Sequence, residues 1–184
     1  MEITTKLKAQ SRAEWRSWLL ANSETEPEVW LVSDKRSPSV AYLDSIEEAI
    51  CFGWIDSIAK RVSEFESAQR FTPRRARSRW TELNKERARR LIRLGLMTEA
   101  GQRTLPDLSA KFEVADDILA AISVNGDARR NFETLPDLYV RVRLGYIEEM
   151  RKRPEEFSRR LENFVRQTAL GKLYGNWNDN GRLL

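Results

Sequence analysis

IDSIAKRVSEFESAQRFTP, residues 55–73, is the stretch whose reading decides the fold. From Ile55 to Phe65 the chain mixes β-branched, polar and charged residues, SEFESAQ offers a loose turn, and RFT runs into Pro73. A proline has no N–H to give a ladder, so it closes a strand, and the stretch reads as an antiparallel hairpin. Upstream the apolar period lengthens. LDSIEEAICFGW, residues 43–54, places Ile46, Ala49 and Ile50 on one helical face, with Asp44 and Glu47 at capping-box spacing and Gly53 as the stop. EVWLVSD, residues 28–34, reads as a short buried strand. SRAEWRSWLLAN, residues 11–22, reads as a helix capped by Ser11 with Glu14 and carrying Trp15, Trp18 and Leu19 inward.

Downstream of the hairpin, Ser78 is expected to cap a helix over Arg79–Leu94 with Gly95 past its end, and Thr98 to open a short one. After Ala110 the strand signals stop. Val114, Ile118, Ala121 and Ile122 share one face, VNGDA breaks that helix, and Asp127 is expected to cap the next. Leu135-Pro136 opens a longer helix with a stripe of Tyr139, Val142, Tyr146, Ile147 and Met150. Pro154 begins the last one, whose stripe is Phe157, Leu161, Phe164, Val165 and Thr168. The expected class is α+β. Residues 1–110 form an α+β domain with N-terminal helices and a small antiparallel sheet, and residues 111–184 form a helical bundle region packing on it.

Composition narrows the chemistry. The chain of 184 residues is 41% hydrophobic, enough for a core, and its net charge is +4. With no histidine and a single cysteine, Cys51, it has no Ser-His-Asp or Cys-His arrangement, no zinc site with histidine ligands and no internal disulfide. No glycine falls into either common phosphate-cradling spacing. No cofactor and no metal are expected. The start alternates charge with apolar residues and no later run is long enough to cross a membrane, so the expectation is a cytoplasmic protein with a free, buried thiol.

The charge is unevenly placed. Residues 70–93 hold ten basic side chains (Arg70, Arg74, Arg75, Arg77, Arg79, Lys85, Arg87, Arg89, Arg90 and Arg93) against Glu82 and Glu86. Guanidinium forks match phosphate or carboxylate bidentately, and a strand end with Pro73 fixes Arg70, Arg74 and Arg75 in place. Earlier in the same hairpin, Trp54 and Asp56, two residues apart, share one face of an extended segment, where an aromatic wall and a carboxylate could line a pocket. Trp80 and Asn84, one turn apart in the expected helix, could add a ring and an amide. The structural alternative for each is ordinary: Trp54 as core, Asp56 pairing with Arg70 or Arg74, and Glu86 pairing with Arg90 on a solvated helix face.

The runs EEAICFGWIDSIAKR, QRFTPRRARSRWTELNKERARRLIRLGLMTEAG and LPDLYVRVRLGYIEEMRKRPEEFSRRL together resemble the bacterial YdeI/OmpD-associated, or bacteriocin-protection, family from about Ile46 to Gly171. The resemblance implies a stress-tolerance protein and brings no catalytic residues. Three readings stand. One is a protein binding an anionic small molecule or partner through Trp54, Asp56, Arg70, Arg74, Arg75, Trp80 and Asn84. The second is a nucleic-acid binder using the basic segment, with affinity falling steeply in salt. The third is a histidine-independent enzyme using Asp56 or a tyrosine as acid or base.

Overall fold

The computed structural model describes residues 2–76 and 78–184. Its sheet is built round β2 (Val29–Asp34), whose Val29, Trp30, Leu31 and Val32 are all buried, as a strand covered on both faces requires. β1 (Lys6–Leu7) runs parallel to it on one side. On the other side lies β4 (Glu66–Pro73), antiparallel, and then β3 (Trp54–Arg61), giving the order β1-β2-β4-β3. The hairpin expected over residues 55–73 is therefore β3–β4, with a bulge between Asp56 and Ala59. β1 carries no strand signal of its own; two residues suffice because β2 offers them a ready edge.

One face of the sheet receives α1 (Arg12–Asn22), whose Trp15 meets Phe71 of β4 with ring centroids 5.2 Å apart. The Ser11 hydroxyl accepts from the Glu14 N–H at 3.2 Å and Glu14 accepts from the Gln10 N–H at 2.9 Å, so the cap forms where its spacing predicts. α2 (Tyr42–Cys51) starts three residues earlier than expected, with Ala41 at its N-cap and no side chain closing it. Asp44 is thus in the first turn and not the cap; Arg12 takes its carboxylate at 3.0 Å instead. Gly53 ends the helix at φ +73°, and a Cβ there would lie 2.8 Å from Thr104 Cγ2 and 2.9 Å from the Ala100 carbonyl. The opposite face of the sheet buries Trp30, Val32 and Ala68 under Ile3 and Val62.

The ionic interior of this unit is not apparent in the apolar pattern. Glu47 and Glu48, both 1% exposed, lie on α2 and meet three arginines. Arg12 donates to Glu48 at 2.5 Å and Glu47 at 2.9 Å, Arg16 to Glu48 at 2.6 Å, and Arg90 to Glu47 at 2.9 Å. α3 (Glu82–Arg93) supplies that last arginine, so Arg90 pairs with Glu47 and not with Glu86. The helix starts at Glu82 because Thr81 caps it, accepting from the Asn84 N–H at 3.1 Å. Ser78, expected to cap it, closes a turn instead: its hydroxyl accepts from the Arg75 N–H at 2.9 Å. α4 (Glu99–Gln102) is capped by Thr98 as expected.

Cys51 is free and fully buried, and burial pushes its thiol up to about 12. A maleimide should therefore label the native protein far more slowly than the urea-unfolded chain. The unfolded thiol loses its proton from about pH 9 and the folded one only near 12, so the stability that Cys51 contributes is complete below pH 9 and is lost as pH rises through that window.

The chain divides into two compact units, 1–79 with 87–108, and 80–86 with 109–184. The second is helical: α5 (Asp116–Val124), α6 (Gly126–Phe132), α7 (Asp137–Glu148) and α8 (Pro154–Ala169). Among the described residues no strand falls between Asp116 and Gly171. Ile118, Ile122, Tyr139, Leu144, Ile147 and Phe164 form its core, with Tyr139 stacked on Phe164. Asn125, not Asp127, caps α6, its side chain accepting from both the Asp127 and Ala128 N–H groups. Tyr146, read as part of the α7 stripe, is 48% exposed. The tail after Gly171 has no period yet is packed, Trp177 meeting Tyr139 edge to face.

Candidate functional site

The candidate site lies where β3 begins and β4 ends. The ladder sets Trp54 opposite Pro73 and Asp56 opposite Phe71, and the Arg74 N–H extends the pairing by donating to the Gly53 carbonyl at 2.8 Å. That bond, with the fixed φ of Pro73, holds the Arg74 backbone at the sheet's corner. Its side chain is turned inward and 7% exposed. Burial draws the guanidinium down to about 10, against the attraction of Asp56 that works to raise it. Asp56 accepts from the Tyr42 hydroxyl at 3.2 Å, so the first residue of α2 joins the group. Tyr42 is 57% exposed and opens the cluster to solvent.

The remaining sequence-selected residues separate. Trp54 shares the α1 face with Asp56 but is 1% exposed: its indole N–H donates to the Ser23 carbonyl at 3.0 Å and its ring meets Trp18 edge to face. It is core, not the wall of an open pocket. Arg70 is one residue off the Asp56↔Phe71 pair, which puts it on the other face of the sheet, where its Nε donates to Glu28 at 2.7 Å. The Thr4 hydroxyl and then Arg70 hold the Glu28 carboxyl below its ordinary range. An Asp56–Arg70 pair is therefore excluded by register. Arg75 is exposed in the turn closed by Ser78. Trp80 and Asn84 belong to the second unit, and Trp80 precedes α3, so the two do not share a helical turn.

The basic segment is largely committed. Arg70 pairs with Glu28, Lys85 with Glu82 and Arg90 with Glu47, while Arg89 donates to the Leu108 carbonyl at 2.8 Å. Arg74 and Arg87 are buried. Arg77 lies outside the described residues. Tyr42 is the residue that sequence reading passes over: it stands outside any motif, and only the fold carries it to Asp56.

Residues 7–104 match a domain family of unknown function, DUF8412, and residues 111–171 match the family described as bacteriocin-protection, YdeI or OmpD-associated. The chain belongs to the first family, whose match covers more than half of it, and its later helices match the second. FGWID and RFTPRR, which suggested the YdeI/OmpD-associated family, thus lie in the DUF8412 match, and the later helices carry the bacteriocin-protection one. No curated protein and no solved structure shows significant similarity to the chain. Among the described residues no helix is long and apolar enough to cross a membrane.

Proposed function

We propose that this protein, whose later helices match the bacteriocin-protection family, acts by binding a small anion at the β3–β4 strand ends, with Arg74 as the cationic anchor, Asp56 orienting it and Tyr42 at the mouth. The observation that carries the reading is the placement of Arg74. A guanidinium held at a sheet corner and desolvated enough to be drawn down to about 10 gains more from an incoming anion than a hydrated surface arginine does. Arg75, exposed one residue on, adds a second cation at the rim. The nucleic-acid reading has less support, because the cations it would need are turned inward or held by carboxylates at Arg70, Arg74, Lys85 and Arg90.

Calorimetric titration with inorganic phosphate and with small carboxylates tests it. Arg74→Ala should weaken binding of the preferred anion about 10- to 100-fold, the scale of a charge-assisted hydrogen bond. Arg93→Ala, exposed on α3, should leave it unchanged. Arg74→Lys, which keeps the charge without the fork, should fall between them and guards against a folding defect in the alanine variant. Equal losses for Arg74 and Arg93, both relieved by salt, would leave only a diffuse basic field.

A further inference from the structure

A second cleft, independent of the strand-end site, opens in the helical unit between α7, α8 and the tail. It encloses about 630 Å³ and is lined by Arg143 and Tyr146 of α7, Arg159, Arg160 and Arg166 of α8, and Tyr174. Glu156 and Glu162 also reach it, so four cations face two carboxylates. Three of the four cations have partners: Arg159 and Arg160 pair with Glu156, and Arg166 donates to the Asn163 side-chain oxygen at 2.7 Å. Arg143 differs. Among the described residues it makes no ion pair and no hydrogen bond, and its Nε is buried. It is nonetheless held: its guanidinium lies over the Tyr174 ring at 4.0 Å, with the Tyr146 ring at 5.9 Å, and Arg160 lies over Tyr146 at 4.3 Å. The tail backbone closes on it as well. Gly175, at φ +73°, has a conformation that favours glycine, and a Cβ there would lie 2.7 Å from Arg143 Nη1 and push the guanidinium aside.

A guanidinium over a ring face keeps its N–H donors in its own plane, where they can meet an oxyanion edge-on. We infer that this cleft binds the phosphate monoester group of a small organic molecule, with Arg143 as the donor fork and Tyr146 and Tyr174 holding it in place. Charge selects the class. The cleft's excess of two cations is neutralised by a phosphate monoester, which carries about −1.5 to −2 at pH 7, and only half neutralised by a carboxylate. Size selects an ester over the free ion, because the volume falls in the range of organic-ligand clefts, about 300–1,000 Å³.

Phenyl phosphate, inorganic phosphate and benzoate titrated into the full chain test it, followed by calorimetry and by the ¹⁵N signal of Arg143 Nε, which reports this cleft and not the Arg74 site. Phenyl phosphate should bind saturably and shift that signal, at least tenfold more tightly than either other anion. Its affinity should fall as pH drops through about 6, where the dianion takes up a proton. Arg143→Gln should lose at least tenfold with an unchanged melting midpoint, and Gly175→Ala should lose affinity by crowding the fork. Arg74→Ala should leave the Arg143 shift intact, so failure of either site is read separately. Unaltered phenyl phosphate binding in Arg143→Gln, or benzoate binding as tightly, would overturn the assignment.

Discussion

Replacing Glu48 by alanine should destabilise the fold by about 3–5 kcal/mol, the usual consequence of removing one member of a buried ion pair. Glu48 is 1% exposed and receives Arg12 and Arg16, so its removal leaves two guanidinium groups facing an interior without their carboxylate. Arg12 still reaches Glu47 and Asp44, whereas Arg16 keeps no carboxylate among the described residues and is left with the Leu96 carbonyl at 3.0 Å, the Phe52 ring and Cys51. Glu47→Ala should cost a similar amount by freeing Arg90. Urea unfolding measures both, and the comparison is Arg130→Ala. Arg130 and Asp127 are 73% and 66% exposed, and such a pair contributes about 0–1 kcal/mol. Equal losses at Glu48 and Arg130 would mean that α1 and α2 are held by their apolar contacts alone. The direct structural consequence is that the charge of this unit is partly its core.

That ionic core marks the limit of what sequence could convey. The hairpin and β2 were legible because alternation, Pro73 and a short apolar run are local signals. So were the caps at Ser11 and Thr98. The caps at Asp44, Ser78 and Asp127 do not form, because Arg12 claims Asp44, the Arg75 N–H claims Ser78, and Asn125 satisfies the α6 amides first. A capping pattern is four residues long and competes with partners it cannot see. Glu47 and Glu48 read as the polar side of a helix for the same cause, since Arg12 is 35 and 36 residues away and Arg90 is 43. Of the candidate site, Asp56 and Arg74 were legible because one hairpin carries both. Arg70 was misplaced by a single residue of register, the smallest error that exchanges the faces of a strand. The cleft around Arg143 left only one trace, a tyrosine in the α7 stripe that the core does not take.

Trp54→Ala should destabilise the protein by about 3–5 kcal/mol, the range for truncating a large buried aromatic. The loss has three sources. The first is the transfer and cavity term for a side chain 1% exposed. The second is the Ser23 carbonyl, which loses the indole N–H it accepts at 3.0 Å. The third is the aromatic chain itself: Trp54 meets Trp18 at 5.8 Å, Trp18 stacks on Trp15 at 5.5 Å, and Trp15 meets Phe71 of β4, so removing the first ring loosens the contact of α1 with the sheet. Trp54→Phe separates packing from hydrogen bonding, because it keeps most of the ring and loses the N–H; its cost should be about 1–3 kcal/mol. The same variant decides what Trp54 does at the strand end. A core residue lowers the unfolding midpoint and leaves anion affinity per folded molecule unchanged, whereas a residue lining the ligand would weaken binding at constant stability. Because the indole is turned toward Ser23 and Trp18, the first outcome is expected, and the proposed anion site then rests on Arg74, Asp56 and Tyr42 without Trp54.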